Sequence, residues 1–414
     1  MSVIEGASRR LALEVLSRLR GGRLELIEPD GGRYRFGDPD ADLAATVEVH
    51  SPRFYRAMLG GSVGLGEAYR DGAWDCDDLV ALIRIAARNM SGLDRWRRRM
   101  NPLLAPVQRT LRRVPRNSKR AARRHIASHY DLGNDLFALF LDESMMYSSA
   151  VFPDPDAGLA EAQEHRLERI CQALELGPGD HLLEIGTGWG AMAVHAASRY
   201  GCRVTTTTIS TEQREGALRR IRDAGVDDRV KVLLDDYREL RGRYSKLVSL
   251  EMIEAVGWQY FDEFFRRCSE LLDPDGLFFL QAIVIDDRLY EVEKVSRSFA
   301  NTLIFPGGCL PSVEAIQRSV ARKTDMSTIW LDEIGAHYAR TLELWRERFV
   351  ANSDLAGELG YDEPFRRLWT LWLAMSEAGF RERRLRDVQI LFAKPERSNR
   401  LTAAWRREPA RASW

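Results

Sequence analysis

The sequence is poor in cysteine, and its five cysteines follow no pattern. They are odd in number and scattered, and no two form a C-x-x-C pair. This argues against a disulfide framework and against a zinc site, and it indicates a reducing, cytoplasmic environment. We therefore expect no metal site. The cysteines are Cys76, Cys171, Cys202, Cys268 and Cys309.

Long apolar runs are also missing. Glu5, Arg9 and Glu14 interrupt the N-terminal segment, so it lacks the apolar core of a signal peptide. No stretch reaches the roughly 20 apolar residues that a membrane-spanning helix needs. Any contact with a membrane is therefore expected at its surface, from the cytoplasmic side.

Net charge is absent as well, but the charges are unevenly distributed. The segment Arg95–Arg124 holds twelve Lys or Arg and no Asp or Glu, so the rest of the chain carries an equal acidic excess. Its apolar residues have helical spacing, which fits either a solvated linker helix or a basic amphipathic helix on anionic lipid headgroups. Nucleic acid is disfavoured because aromatics are sparse among these arginines. The apolar residues are Leu103, Val107, Leu111 and Val114.

A chain of 414 residues favours two domains. In the first 90 residues, Arg23–Ile27 and Arg33–Phe36 predict a hairpin around Pro-Asp-Gly-Gly. Gly60–Gly66 is interpreted as a glycine-rich turn, and Asp77–Asn89 has the apolar spacing of a helix.

From about residue 160, predicted strands and helices alternate, which is typical of a mostly parallel sheet covered by helices. Ser210 and Gln213 form a capping box at the start of one helix. Val388–Phe392 is predicted to be a final edge strand. The other predicted strands are His181–Ile185, Arg203–Ile209, Val230–Leu234, Lys246–Leu250 and Leu277–Ile285.

The first of these strands ends in a glycine-rich loop, Glu184–Gly190, with the sequence Glu-Ile-Gly-Thr-Gly-Trp-Gly. Such a loop allows close backbone approach to an adenosyl ligand at the carboxyl end of the sheet, although dinucleotide enzymes and ordinary tight turns also use it. The second strand end, Thr205–Ser210, has no acid for a ribose 2′-hydroxyl of a dinucleotide. This favours S-adenosylmethionine, which carries no pyrophosphate.

Ordered stretches between Val47 and Phe392 match one known family. They include Gly64–Tyr69, Gly72–Asp75, His129–Phe137, Met146–Ser148, Glu184–Gly190, Thr208–Ser210, Asp236–Arg238, Glu251–Gly257, Ile304–Ser312 and Gly335–Tyr338. In these stretches the chain resembles the cyclopropane-fatty-acid synthase family. The resemblance implies a Rossmann-like class I methyltransferase, α/β with a mostly parallel sheet, and a smaller α+β N-terminal domain. We expect a lipid-recruiting domain at 1–92, a basic linker at 93–124, the methyltransferase domain at 125–395 and a tail at 396–414.

The resemblance also implies the positions that bind S-adenosylmethionine. Thr208 and Ile209 have an alternative interpretation as core strand residues, and Tyr147 as a packed aromatic. The implied residues are Tyr147 and Ser148 at the amino-acid end, Glu184, Gly186 and Gly188 in the loop, Thr208, Ile209 and Gln213 along the ribose and adenine, and Asp236 and Tyr237 beside the adenine.

Members of this family methylate a carbon–carbon double bond in a phospholipid acyl chain, by way of a carbocation. Such a site must be dry, must stabilise positive charge, and must hold one base. In the family that base is thought to be a bound bicarbonate. The resemblance places it near Glu254, Gln281 and Tyr338, with Ser149 and Ile283 as neighbours. A structural salt bridge at Glu254 and a half-buried aromatic at Tyr338 are the alternatives.

The chain departs from many relatives, which have cysteine at Ser149 and histidine at Gln281. Glutamine can hold an anion but cannot act as a base. A second family position, once proposed as a nucleophilic cysteine, is Ser376, which is not an activated nucleophile without a nearby base. Because a sub-branch with the same Gln-Ala-Ile run resembles enzymes that make methylene-branched chains, a 10-methylene product is the alternative to a cyclopropane.

Two other classes of function are alternatives for this sequence. An N-methyltransferase for a small amine would share the catalytic core but would not need the N-terminal domain. A lipid-surface binding protein with a degenerate methyltransferase fold would not need the intact loop or Glu254. The expected partners are an anionic phospholipid surface, reached through Arg95–Arg124 at the inner face of the membrane, and an unsaturated acyl chain. No nucleic acid is expected, and a homodimer is left open.

Overall fold

A computed structural model describes residues 3–92, 94–95, 99 and 133–397. The chain forms two compact units: Met1–Val114 with Arg288–Pro306 and Leu342–Leu385, and Pro115–Asp287 with Gly307–Thr341 and Arg386–Trp414. Two C-terminal segments thus group with the N-terminal residues, whereas the expected domains run consecutively along the chain. Apart from Arg95 and Arg99, the basic segment Arg95–Arg124 lies outside the described residues, as does most of the tail at 396–414.

The first unit is α+β and contains a four-stranded sheet of order β2-β1-β3-β4. β1 pairs antiparallel with β2, which confirms the predicted hairpin, and the predicted helix is α4, capped by the Asp78 side chain. Its N-terminal elements are α1 (Val3–Leu16), β1 (Arg23–Ile27), β2 (Arg33–Gly37), β3 (Ala44–Val49), α2 (Arg53–Leu59), α3 (Gly61–Arg70), β4 (Trp74–Cys76) and α4 (Leu79–Asn89).

The interpretation of Gly60–Gly66 as a turn is wrong, because all but the first of these residues lie in α3. These glycines serve close packing. A Cβ on Gly66 would lie 2.3 Å from Cδ2 of Phe299, and one on Gly64 would lie 2.7 Å from the Ala57 carbonyl oxygen. Glycine at these positions therefore lets neighbouring segments approach the helix, at the usual cost in helix propensity.

The second unit contains a seven-stranded sheet of order β10-β11-β9-β8-β5-β6-β7. The pairs β9–β8, β8–β5, β5–β6 and β6–β7 are parallel, which confirms the predicted mostly parallel sheet. The elements from residue 133 onward are α5 (Asn134–Ala138), α6 (Leu159–Ala173), β5 (His181–Ile185), α7 (Ala191–Tyr200), β6 (Arg203–Thr207), α8 (Thr211–Asp223), β7 (Val230–Leu233), β8 (Tyr244–Leu250), α9 (Phe261–Leu271), β9 (Leu272–Ile285), α10 (Asp287–Glu293), α11 (Val313–Lys323), β10 (Ser327–Glu333), α12 (Gly335–Ala351), α13 (Ser353–Glu358), α14 (Glu363–Arg381) and β11 (Leu385–Ala393).

Helices on the sheet close a continuous apolar core in this unit, with Ile170 on α6, Met192 on α7, Ala217 on α8 and Leu182 on β5 all buried. The predicted capping box at α8 is confirmed in its first half, because the Ser210 hydroxyl accepts from the Gln213 backbone NH at 3.2 Å. The sheet and its helices therefore hold the carboxyl ends of β5, β6, β7 and β8 side by side.

The prediction of Val388–Phe392 as an edge strand is wrong in its position. This segment belongs to β11, which lies between β9 and β10 and is almost completely buried. The edge strand is β10, antiparallel to β11, and most of its residues are exposed. Because β10 is mostly exposed and mixes polar with apolar residues, it lacks a strong strand pattern. The sequence therefore did not indicate a second neighbouring strand for β11.

Candidate functional site

The glycine-rich loop between β5 and α7 is bound to the end of β6. The backbone NH groups of Gly186 and Thr187 donate to the Thr207 carbonyl at 3.0 and 3.1 Å. Gly186 has a φ of 107° and Gly188 a φ of 51°, in the left-handed region that favours glycine. A Cβ on Gly186 would contact the Met252 side chain at 3.4 Å, whereas the space beside Gly188 is open. The loop thus presents bare backbone to a ligand.

The next strand end supplies one polar and one apolar surface. Thr208 is buried, and its hydroxyl donates to Oε1 of Gln213 at 2.9 Å. Ile209 is half-buried, so part of its aliphatic side chain remains available for contact with a flat ring. The structure therefore brings the three predicted ribose and adenine residues together beside the loop.

Asp236 and Tyr237 lie in the turn after β7. Both Asp236 carboxylate oxygens accept from Arg238, with the guanidinium at 2.7 Å from each, so the carboxylate is already paired. Tyr237 is buried, and the Arg238 guanidinium lies 5.3 Å from its ring centroid. The predicted contacts of these two residues with adenine remain a prediction.

The Met-Tyr-Ser segment before α6 contains the two residues that are expected to bind the amino-acid end of the ligand. Tyr147 is half-buried, with its ring 5.2 Å from that of Phe137 and 6.1 Å from that of Phe140. Ser148 is buried, and its hydroxyl accepts from Nη1 of Arg166 at 2.6 Å. Tyr147 is therefore packed within an aromatic cluster, as its alternative interpretation expected, without being excluded from ligand contact.

Glu184, at the end of β5, is a buried carboxyl whose Oε2 has no hydrogen-bond partner among the described residues. Burial raises its pKa to about 8, against a hydrogen bond from Thr206 that lowers it. Because the folded protein then binds more protons than the unfolded chain between pH 4.5 and 8, its unfolding free energy should fall as pH rises through this window.

We expect Glu184→Gln to remove this loss. The variant should gain stability over the wild type as pH rises from about 5 to 8, by about 1.4 kcal/mol for each pKa unit. Urea unfolding of the cofactor-free protein at pH 5, 6.5 and 8 measures the difference. Glu175→Gln, outside the site, controls for loss of a carboxyl. A stability difference that does not change with pH would contradict the assignment.

A second cluster forms around Glu251, the residue that follows β8. Its carboxylate accepts from the Ser149 backbone NH at 2.9 Å, from Nε2 of Gln281 at 2.6 Å and from the Tyr338 hydroxyl at 2.7 Å. Its backbone has a φ of 48°, which is rare for a residue with a side chain and typical of functional sites. This carboxylate was not among the residues proposed from the sequence.

Glu254 lies one short turn further, facing the same region. Its Oε1 accepts from the Ile283 backbone NH at 2.6 Å, and its backbone carbonyl accepts from Cys309 NH at 2.8 Å. Its Oε2 is buried with no hydrogen-bond partner among the described residues. Burial, and then repulsion by Glu251, raise the pKa of Glu254 to about 8. Among the described residues Glu254 forms no salt bridge.

Three further buried polar residues complete the network. Nε2 of Gln281 also donates to Oδ2 of Asp387 at 3.1 Å, and Nε2 of Gln389 donates to Oε1 of Gln281 at 3.0 Å. Arg166 on α6 is fully buried and supplies positive charge to Glu251 and Asp387. The Glu251 and Asp387 carboxyls thus lie together with the Arg166 guanidinium, largely removed from solvent, where an unpaired charge is costly.

Polar residues at core positions of buried elements are the sequence signal that points to Arg166, Asp387 and Gln389. Arg166 lies on the apolar stripe of α6, between Ala162 and Ile170. Asp387 and Gln389 alternate with apolar residues in the buried strand β11, so they share one face. Charged residues at core positions need partners and are candidates for functional sites.

All five residues proposed for the second group are in this unit: Ser149, Gln281 and Tyr338 converge on Glu251, and Ile283 contacts Glu254. Ser376 lies in α14, in the other unit, and its buried hydroxyl has no partner in the described part of the chain. That Ser376 is not an activated nucleophile stays a prediction.

A glycine-rich loop after the first strand of a parallel sheet, beside half-buried carboxyls that follow the neighbouring strand, defines a class I methyltransferase that uses S-adenosylmethionine. The sequence profile of the mycolic acid cyclopropane synthetase family matches residues 117–390, and the chain belongs to this family.

Individual relatives extend the match to the N-terminal residues. The tuberculostearic acid methyltransferase of Mycobacterium tuberculosis is 38% identical over 86% of this chain and 84% of its own. The cyclopropane-fatty-acyl-phospholipid synthase of Escherichia coli is 35% identical over 89% of this chain and 96% of its own. The mycolic acid cyclopropane synthase CmaA1, solved with SAH (S-adenosylhomocysteine), superposes with a TM-score of 0.61 at 29% identity, covering 66% of this chain and 98% of its own.

The residues present fit S-adenosylmethionine. The bare backbone at Gly186 and Gly188 admits close approach, and Glu184, at the start of the loop, offers a carboxyl oxygen that has no hydrogen-bond partner among the described residues. Ile209 and Thr208 line the adjacent strand end. When bound, S-adenosylmethionine supplies a methyl group on a positively charged sulfur.

Proposed function

We propose that this enzyme methylates a carbon–carbon double bond in an unsaturated phospholipid acyl chain and gives a cyclopropane product. The observation that supports this proposal is the group of three acids beside the cofactor loop, in which Glu251 and Glu254 are half-buried and Asp387 is buried. An isolated alkene becomes a carbocation when it takes up a methyl group, and preorganised negative charge in a dry site stabilises that cation. A site for an already nucleophilic amine would not need such a group.

The chain's own residues divide this work. A Cβ on Gly186 would lie 3.4 Å from the Met252 side chain, so the acidic cluster after β8 adjoins the cofactor loop after β5. The buried Oε2 of Glu254, which has no hydrogen-bond partner among the described residues, is the group that we assign to the developing positive charge. The buried strands β8, β9 and β11 exclude water, which would otherwise capture the cation.

The direct test is incubation of the enzyme with S-adenosylmethionine, carrying a ¹³C methyl group, and vesicles of dioleoyl phospholipid. We expect the label in a cyclopropane ring, with upfield cyclopropyl proton signals in the NMR spectrum of the extracted lipid. Vesicles of fully saturated phospholipid are the control. Equal labelling of both lipids, or no labelled lipid, would contradict the proposal.

A 10-methylene product is the second candidate, favoured by Gln281 and by the similarity to the tuberculostearic acid methyltransferase. In that outcome a hydride shift precedes loss of the proton, which leaves an exocyclic C=CH2. Both products have the same mass, but vinylidene signals without cyclopropyl signals would replace the first candidate with the second.

The remaining alternatives separate by simple binding measurements. A lipid-surface protein with a degenerate site should not bind S-adenosylmethionine in calorimetry. An amine N-methyltransferase should bind it and label soluble amines but not vesicles. The N-terminal unit, for which a soluble amine offers no role, supports the lipid substrate.

We further propose that the protein works from the cytoplasm at the inner membrane surface, with its N-terminal domain and Arg95–Arg124 recruiting lipid. No helix in the described ranges is long and apolar enough to cross a membrane. We expect binding to vesicles with 30% anionic lipid that weakens as salt rises from 50 to 500 mM, because each surface cation contributes about 1 kcal/mol.

Charge reversal of Arg109, Arg112 and Arg113 to Glu should reduce the bound fraction in vesicle sedimentation at least tenfold. Reversal of the exposed Arg18, Arg33 and Arg35 is the matched control. Binding that is indifferent to salt, or equally affected in both variants, would contradict recruitment by this segment.

A further inference from the structure

The anion site implied by the resemblance is filled by the protein itself. Three of the groups expected to hold bicarbonate are the Ser149 backbone, Gln281 and Tyr338, and all three donate to the Glu251 carboxylate. The fourth, the Ile283 NH, donates to Glu254. The Ser149 hydroxyl is also engaged, donating to the Ala150 carbonyl at 2.9 Å.

Bicarbonate therefore does not fit this cluster. Its expected donors are taken by fixed carboxylates, and a second anion beside Glu251 would meet the like charge of that carboxylate at short range. The chemistry that the resemblance assigns to a diffusible base must come from another group.

We propose that the carboxylate of Glu251 is the proton acceptor of the reaction, in place of bound bicarbonate. This inference rests on the proposed alkene methylation. Glu251 holds the place of the missing base by its contacts, and its neighbour Met252 borders Gly186 of the cofactor loop. Its left-handed backbone, at a φ of 48°, turns the side chain from the end of β8 toward these donors.

The surroundings hold Glu251 ready to accept a proton. Burial raises its pKa, while the Arg166 charge and the donors from Ser149, Tyr338 and Gln281 oppose that rise and stabilise the carboxylate. Burial, repulsion by Glu251 and Glu254, and a hydrogen bond to Glu251 raise the pKa of Asp387, so Asp387 carries the proton of this pair.

Tyr338 remains a donor throughout, because burial and the charge of Glu251 raise its pKa well above the ordinary value. The ionised Glu251 carboxylate then balances the Arg166 guanidinium, and Glu254, whose pKa is raised to about 8, adds negative charge only as pH rises toward that value.

The reaction balances with this residue alone as base. The alkene π pair forms a bond to the methyl carbon as the bond from that carbon to sulfur breaks, with its electron pair left on sulfur. Glu251 then takes a proton from the added methyl group, and the released C–H pair closes the three-membered ring. The resulting carboxylic acid returns its proton to solvent on product release. For a methylene product the same proton is taken after the hydride shift.

The position also provides its own test, because glycine suits a φ of 48° better than glutamate. Glu251→Gly should leave the donors of Ser149, Gln281 and Tyr338 around an anion-sized space. Glu251→Gln keeps the volume and fills that space with a neutral amide. Glu175→Gly, at another left-handed position with a φ of 52°, is the matched control outside the site.

Methylation of dioleoyl vesicles is measured for each protein in bicarbonate-depleted buffer and after addition of bicarbonate. We expect the wild type and Glu175→Gly to respond less than twofold. Both Glu251 variants should lose at least 10²-fold activity, the usual contribution of a general base. Bicarbonate should restore Glu251→Gly at least tenfold and leave Glu251→Gln unchanged.

Binding gives an independent readout. ¹³C-bicarbonate should show line broadening in NMR with Glu251→Gly but not with the wild type, and calorimetry with S-adenosylmethionine checks that each variant is folded. A wild type that needs bicarbonate, or an active Glu251→Gln, would overturn the inference while leaving the proposed function intact. A wild type that methylates no unsaturated lipid would overturn the proposed function instead.

Discussion

Glu254→Gln should lower kcat by 10²- to 10³-fold and leave S-adenosylmethionine binding nearly unchanged. The amide preserves the shape and the bond from Ile283 NH, but it removes the negative charge that Glu254 carries when ionised, beside an oxygen with no other partner among the described residues. Loss of one preorganised electrostatic contact to a charged transition state has effects of this size. Lipid methylation rates and calorimetry give the two quantities.

The pH dependence of kcat/KM tests the role of Glu254 independently. A carboxyl whose pKa is raised to about 8 is protonated below that pH, so the active, ionised fraction of Glu254 grows as pH rises toward 8. We expect kcat/KM to rise over this range in the wild type and to lose that part of its rise in Glu254→Gln. Glu175→Gln is the control, and an unaltered profile in Glu254→Gln would contradict an ionised role.

Arg166→Met should destabilise the fold by about 3–5 kcal/mol, the usual cost of removing one partner from a buried charge cluster. Arg166 is completely buried and offsets the charge of Glu251 and Asp387. Without it the pKa of both carboxyls should rise further, so the destabilisation should grow as pH increases. Urea unfolding at pH 6 and 8 measures both the size and the trend.

Two comparisons make this result specific. Arg199→Met removes an exposed arginine paired with Glu164 and should cost less than about 1 kcal/mol. Adding Glu251→Gln to Arg166→Met should recover part of the loss, because the unbalanced charge is then gone. Simple additivity of the two substitutions would show that Arg166 and Glu251 do not interact.

The sequence alone was sufficient to predict the parts of the fold that local residue patterns determine. The parallel strands from His181 onward, the glycine-rich loop and the Ser210 cap all follow from periodicity and turn chemistry within short windows. The family resemblance then identified Gln281, Tyr338 and Glu254 as site candidates, and the structure places them in one unit.

The sequence alone was insufficient to predict the parts of the site that depend on contacts between distant segments. Glu251 and Glu254 stand in the same short run, and only the left-handed backbone at Glu251 directs its carboxylate to Ser149 and Gln281. Asp387 joins them from β11, more than 100 residues away, and the partner of that strand is the weakly patterned β10. Such pairings depend on register across the sheet rather than on any local signal.

The left-handed backbone at Glu251 also bears on how such a site can change over evolutionary time. Codons for glycine and glutamate differ by a single base, and this position suits the conformation of glycine without rebuilding β8. One point mutation can therefore exchange an enzyme that carries its own base for one that draws its base from dissolved carbon dioxide. Evolution can therefore exchange a protein carboxylate for a bound anion as the base, in either direction, while the surrounding hydrogen-bond donors stay in place.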